Sequence, residues 1–228
     1  MSSLASAVRA QLLPLPEVNR LSSLRRSATL FSQGQTADAL FFIDEGLVKL
    51  TRTNSFGHRI IVSMSGPGEL IGEEVLSMDL STYQADAEVL TGAVIFRVPR
   101  DSVTGAIQSN TALAAAVIDF LLQRRLAMAR KVELLCLHDV EYRILHYLAE
   151  LASLVQPPDS DVAYQLPITQ AELADLIGAT RETTSTTLNQ LERRGLVKLS
   201  RRLLTVPSPM QLRDATNNHI AVESIRTA

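Results

Sequence analysis

Residues 168–194 read ITQAELADLIGATRETTSTTLNQLERR, and this stretch decides the fold of the C-terminal part. Thr169 followed by Glu172 is a capping box, which opens a short helix. Leu173, Leu176 and Ile177 give that helix an apolar face. Gly178 stops it, because glycine readily takes the left-handed conformation of a tight turn. Thr180 caps a second helix whose inward face is Thr184, Leu188 and Leu191, and Gly195 ends it. Two short helices with glycine in the turn are a helix-turn-helix.

Downstream, Leu196–Leu199 and Leu203–Val206 read as short strands joined across 200–202, a β-wing with Arg201 and Arg202 at its tip. Between 181 and 202, six cations (Arg181, Arg193, Arg194, Lys198, Arg201, Arg202) face two carboxylates (Glu182, Glu192), a local balance of +4 in a chain of net charge −2. The global charge argues weakly against nucleic acid, whereas the local one supplies the positive potential that phosphates need. A helix-turn-helix enters the major groove with the N-terminal residues of its second helix. Arg181 suits guanine O6 and N7, and Glu182 can accept from cytosine N4. Thr169, Gln170, Thr180, Thr183, Ser185 and Thr186 complete the expected DNA-facing set, as short polar groups for phosphates or base edges. Arg201 and Arg202 are expected on the phosphate backbone.

Upstream, Asn110 is an N-cap, and helix formers follow with no Gly or Pro until Pro157. Positions 114, 118, 121, 125, 128, 132 and 135 give Ala, Ile, Leu, Arg, Met, Val and Leu, a heptad seam with one charged intruder, Arg125. Taken alone, this fits either a helix packed on its own domain or a dimer seam through Ile118, Leu121, Arg125, Met128, Val132 and Leu135. A break is expected near His138–Asp139, with Asp139 capping a further helix whose stripe is Val140, Ile144, Leu145, Leu148 and Leu151. Residues 156–162 form a Pro/Asp/Ser loop, and the tail from Asp214 is polar.

The first 105 or so residues read as β-rich after a loose or helical lead-in of about 20. Strands are expected at Leu40–Ile43, Leu47–Thr51, Ile60–Ser63, Ala87–Leu90 and Ala93–Val98, a spacing that suggests a sandwich or barrel. The chain has 228 residues, 46% hydrophobic and 20% charged, which suits a globular protein of two domains. Its one cysteine, Cys136, closes no internal disulfide, and a reduced, cytoplasmic setting is expected. No secretory signal and no membrane span are expected.

The blocks LFSQGQTADALFFIDEGLVKL (30–50) and PGELIGEE (67–74), the long helix, and TRETTSTTLNQLERRGLVKL (180–199) together resemble bacterial Crp/Fnr-type transcription regulators over about residues 20–210. The resemblance implies an α+β fold: an N-terminal double-stranded β-helix or jelly-roll sensor domain (1–108), a dimerisation helix (109–138), a winged helix-turn-helix (139–213) and a polar tail (214–228). It implies a homodimer on a near-palindromic double-stranded operator, with half-sites about one DNA turn apart. RNA polymerase would be a further partner if the protein is an activator. An effector in the β-roll would bias a hinge near 136–139.

In the family's cyclic-nucleotide binders, a Gly–Glu pair opens a phosphate cassette and an Arg–Ser pair follows. Gly72 and Glu73 match the first, but Tyr83 and Gln84 stand where the second is expected, and no Arg or Lys lies between Arg59 and Arg97. The helix positions facing the pocket, near Met128 and Ala129, lack the hydroxyls that recognise adenine. The resemblance therefore gives an effector pocket of Gly72, Glu73, Tyr83, Gln84 and Met128, of unknown ligand, and argues against cAMP. A single cysteine argues against an iron–sulfur cluster. Haem held in an unfamiliar way stays open, and no metal site is expected. Cys136 reads as a packing residue before a redox switch, and His138 as a packing or capping histidine at the domain junction. The family's catabolite-activator pattern also has a second Arg one turn after Arg181. Ser185 and Thr186 stand there, so one guanine contact is missing and the operator is expected to relax at that position.

An enzyme is disfavoured. A metal-binding jelly roll needs clustered histidines, and the N-terminal half has only His58. A nucleotide-binding module that acts on protein partners is the alternative reading, and the basic wing argues against it.

Overall fold

The computed structural model describes residues 3–155, 164–200, 203–207, 211–212 and 214–217. The chain forms two compact units, Met1–Ala129 and Arg130–Ala228. The expected wing-tip residues Arg201 and Arg202, the whole Pro/Asp/Ser loop (156–162) and the end of the tail lie outside the described residues.

The first unit opens with helix α1 (Ser3–Gln11), followed by strands β1 (Asn19–Leu24), β2 (Thr29–Phe31), β3 (Ala39–Glu45), β4 (Val48–Thr53), β5 (Arg59–Ser65), β6 (Leu70–Ile71), β7 (Asp86–Val89) and β8 (Ala93–Pro99). They form two four-stranded antiparallel sheets, β1-β8-β3-β6 and β2-β7-β4-β5. The five strands expected from sequence are β3, β4, β5, β7 and β8. Strand β1 was not foreseen, because it buries no residue fully and carries no alternating pattern. It is recruited by pairing with β8. Side chains from both sheets meet in one core that includes Phe31, Leu40, Phe42, Val48, Val89 and Ile95.

Three helices add to that core. Val8 and Leu12, from α1 and its end, are fully buried, so the lead-in is an integral part of the roll. Helix α2 (Arg100–Ser109), also not foreseen, contributes Val103. Helix α3 (Thr111–Leu137) starts where expected, with Asn110 Oδ1 accepting from the Leu113 amide at 3.0 Å. Its Leu113 and Val117 enter the core, and burying each such side chain stabilises by about 1.5–3 kcal/mol. Arg100 donates to the carbonyls of Ala37 (3.0 Å), Ser77 (3.2 Å) and Leu80 (3.2 Å), which pins the segment leading to Tyr83.

In the second unit, α4 (Val140–Val155) begins at the expected cap: Asp139 Oδ1 accepts from the Tyr142 amide at 2.8 Å. Its buried stripe includes Ile144, Leu145, Leu148 and Leu151. Helices α5 (Gln170–Ile177) and α6 (Arg181–Arg193) follow. Strands β10 (Lys198–Leu199) and β11 (Leu204–Val206) form the expected hairpin. Strand β9 (Tyr164–Leu166) adds a third antiparallel strand to it. No single described helix is long and apolar enough to cross a membrane.

The C-terminal carbonyls of α5 lack partners within the helix. Lys131, from the last turns of α3, donates its ammonium to Leu176 O at 2.9 Å. Arg143, from α4, donates to Ile177 O at 2.7 Å. Cations at a helix C-terminus are favoured by its dipole. Lys131 is only 7% exposed and lies 5.0 Å from the Tyr147 ring centroid. Burial pulls its ammonium down to about pKa 8, against a smaller opposing effect of Glu150. Burial also pushes the Tyr147 hydroxyl well up.

At Gly46 (φ +88°) an added Cβ would lie 2.5 Å from Gly92 O and 2.8 Å from Ala93 Cα. Gly46→Ala should therefore lower stability by at least about 2 kcal/mol in urea melts, through backbone strain and overpacking. For Lys131, the folded pKa lies below the unfolded one, so the unfolded chain holds more protons between the two. Wild-type stability should then rise relative to Lys131→Met as pH climbs from 8 towards 10.5. The full rise is roughly 3–4 kcal/mol at most, at roughly 1.4 kcal/mol per pH unit. Tyr147 is common to both proteins and cancels in the difference.

Candidate functional site

The reader is built from local signals. Thr169 Oγ1 accepts from the Glu172 amide at 3.1 Å, and Glu172 Oε2 accepts from the Thr169 amide at 2.9 Å, so the capping box is complete. Gly178 ends α5 with φ +65°. There an added Cβ would stand 2.8 Å from Leu135 Cδ2. Thr180 caps α6, accepting from the Thr183 amide at 3.1 Å. Thr184, Leu188 and Leu191 are buried as expected.

That burial leaves Arg181, Glu182, Thr183 and Thr186 exposed and Ser185 half-buried at the N-terminal end of α6. Thr169 and Gln170 are half-buried at the start of α5, and Thr180 is exposed. Several hydroxyls of the expected set already have partners: Thr180 and Thr183 share a bond at 2.8 Å, and Thr169 Oγ1 meets Glu172 Oε2 at 2.8 Å. Farther along, Arg194 pairs with Glu141 at 2.5 Å, and Glu192 accepts from the Leu199 amide at 2.8 Å. These two contacts tie the end of α6 to α4 and to the hairpin.

Along α3, Ile118 (60% exposed), Leu121, Met128 (47%) and Val132 (58%) form an apolar stripe, with Arg125 exposed among them. Leu122 and Leu126 are also exposed and widen it. Leu135, expected in the seam, is half-buried and packs against the Gly178 turn.

In the β-roll the expected pocket residues divide. Tyr83 is 1% exposed and stacks on Phe31 with centroids 3.9 Å apart. Its hydroxyl donates to Ala39 O at 2.7 Å and accepts from the Ala39 amide at 3.1 Å. Burial pushes this phenol up. Its ring also presses on Gly72, where an added Cβ would lie 3.1 Å from Cε1. The Gln84 amide donates to Glu74 Oε1 at 2.9 Å. Met128, expected to line the pocket, is largely exposed on the α3 stripe.

The helix residue that does reach Glu73 is Arg124, which sequence reasoning missed. Its Nε and Nη2 donate to Glu73 Oε1 at 3.2 and 3.1 Å, and its Nη1 donates to Ser65 Oγ at 3.0 Å. The other carboxylate oxygen, Glu73 Oε2, is buried without a hydrogen-bond partner, as is Ser63 Oγ. The roll therefore does hold a cation beside Glu73, delivered from 51 residues away in sequence. No local pattern marks Arg124, since its neighbour Arg125 has the same side chain and points to the exposed face.

Comparison with known proteins agrees with this layout. A cyclic nucleotide-binding domain model matches residues 21–110, and a Crp-like helix-turn-helix domain model matches residues 142–215. The chain is 26% identical over 197 residues to the global nitrogen regulator of Nostoc sp. strain PCC 7120, covering 84% of this chain and 87% of that one. It is 29% identical over 187 residues to the cyclic AMP receptor protein of Thermus thermophilus, covering 82% and 80%. The structure of FixK2 from Bradyrhizobium japonicum superposes with a TM-score of 0.72 at 19% identity, covering 86% of this chain and 96% of that one, a likeness of fold. With a sensor domain and a reader domain of these two types in this order, the chain belongs to the Crp/Fnr family of transcription regulators.

Proposed function

We propose that this regulator acts as a homodimer on a near-palindromic operator, and that Arg181 and Glu182 read base edges in the major groove. The observation that carries this reading is the two-sidedness of α6. Its inner face is sealed by Thr184, Leu188 and Leu191, while Arg181 and Glu182 stand exposed at its N-terminal end. Arg181 offers a bidentate fork to guanine, and Glu182 an acceptor to cytosine. Ser185 and Thr186 make no bidentate guanine contact, so discrimination at that position is weak. The exposed α3 stripe supports pairing through Ile118, Leu121, Arg125, Met128 and Val132. An activator would add RNA polymerase as a partner.

The effector reading is narrower. Tyr83 fills the position at which the resemblance expects a phosphate-neutralising arginine, and its hydroxyl is committed to Ala39. Arg124 is committed to Glu73 and Ser65. A cyclic phosphate would enter without a cation to meet it, which is costly in a buried site. The protein therefore works either with an effector other than cAMP or without one.

Gel shifts on an operator obtained by in vitro selection test the DNA reading. Arg181→Ala should cost about 1–3 kcal/mol of binding and relax selection at one base pair per half-site. Equal binding by wild type and variant would overturn the assignment. In calorimetry, cAMP should give no saturable heat and no change in operator affinity. Saturable binding would overturn the effector reading.

A further inference from the structure

The end of α3 is fastened to the reader. Residues from Arg130 onward belong to the second compact unit, although α3 continues unbroken to Leu137. Three contacts make the fastening. Lys131 donates to Leu176 O at 2.9 Å, Arg143 of α4 donates to Ile177 O at 2.7 Å, and Leu135 packs on Gly178. All three converge on the last turn of α5 and the turn that launches α6.

A stability rationale does not account for Lys131. A nearly buried ammonium carries a desolvation cost, and apolar replacements of buried charges are often neutral or stabilising. What the ammonium adds is direction. An apolar side chain can slide over its neighbours, whereas a charge-assisted bond to one carbonyl fixes a distance and an angle. Helix α5 packs directly on α6, so the angle set at Leu176 is passed to the recognition helix.

We propose that Lys131 is a positioning residue for operator binding, setting through Leu176 O the angle between the last turns of α3 and the helix pair of the reader. This rests on the dimeric reading given above. In a two-fold dimer, any change in that angle is applied twice and in opposite senses. The separation of the two recognition helices then drifts from the fixed half-site spacing. A single half-site does not sense that separation. Two linked half-sites do, because the second contact gains its effective concentration only when the geometry fits.

The experiment measures the affinity of the full-length protein, by fluorescence anisotropy, for duplexes carrying one half-site or two. Wild type should favour two half-sites strongly. Lys131→Met should keep its half-site affinity within about two-fold, lose about ten-fold or more for two half-sites, and tolerate an altered spacer better. Lys131→Arg, which retains a donor and a charge, should restore the preference. A second measurement needs no apolar variant. Between pH 7 and about 9.5 the wild-type preference should fall as Lys131 loses its proton, and in Lys131→Arg it should not, because arginine stays charged. Glu150 and Tyr147 of α4, and Arg143, face this region in both proteins and serve as the internal control. An unchanged preference in Lys131→Met, or equal losses on one and two half-sites, would overturn the proposal. Should wild type show no preference for two half-sites, the dimeric reading fails and takes this one with it.

Discussion

A helix of eight residues does not hold itself together in water, and the reader is built around one, α5. Everything downstream depends on how its two ends are satisfied. At the N-terminus the answer is local: Thr169 and Glu172 cap each other's backbone amides, and Glu172 is buried at 8% exposure in doing so. At the C-terminus the answer is distant. Gly178 turns the chain, and the carbonyls of Leu176 and Ile177 are taken by Lys131 and Arg143, from α3 and α4. The recognition helix starts three residues after Gly178, so its direction follows from that capping.

The roll applies the same economy of charge differently. Glu73 sits half-buried at the start of a short 3₁₀ turn, and Arg124 is its ion-pair partner. In the family's cyclic-nucleotide binders the sequence pattern places a cation in the cassette itself. In this chain the cassette position holds Tyr83, whose ring packs against Phe31 and whose hydroxyl ties two backbone groups of Ala39. The cation comes from α3 and is spent on the protein's own carboxylate. Two buried oxygens of the roll, Glu73 Oε2 and Ser63 Oγ, have no hydrogen-bond partner.

What was legible in the sequence was what short-range chemistry dictates. The capping box, Gly178, the Asn110 and Asp139 caps, and the buried face of α6 each depend on residues within one turn of each other. The five foreseen strands carry β-branched or aromatic residues at the right period. The misses share a cause. Strand β1 (NRLSSL) has no pattern of its own and exists because β8 offers it a partner. Helix α2 begins with the Pro99–Arg100 step, which reads as the end of a strand rather than the start of a helix. Arg124, Lys131 and Arg143 matter through partners 34 to 59 residues away. No spacing rule distinguishes them from solvated arginines and lysines on the same helices. Leu135 fits the heptad by number but is turned to the Gly178 turn by the packing of its own unit.

The same long-range contacts sharpen the reading of charge. The segment 181–202 carries +4, but that count treats every cation as available to DNA. Arg194 is paired with Glu141, a carboxylate outside the segment, and it holds α6 against α4. Likewise, the Thr180 and Thr183 hydroxyls are bonded to each other, and the Thr187 hydroxyl donates to Thr183 O at 2.9 Å. Part of the polar inventory of the helix is thus used to hold the helix in place. Arg181 and Glu182 stay exposed at its N-terminal end, with Ser185 and Thr186 beside them. On the dimeric reading proposed above, a reader with so few discriminating side chains per half-site would gain its selectivity by requiring two half-sites at a fixed separation. That would place weight on the contacts proposed to set the separation, those at the C-terminal end of α5.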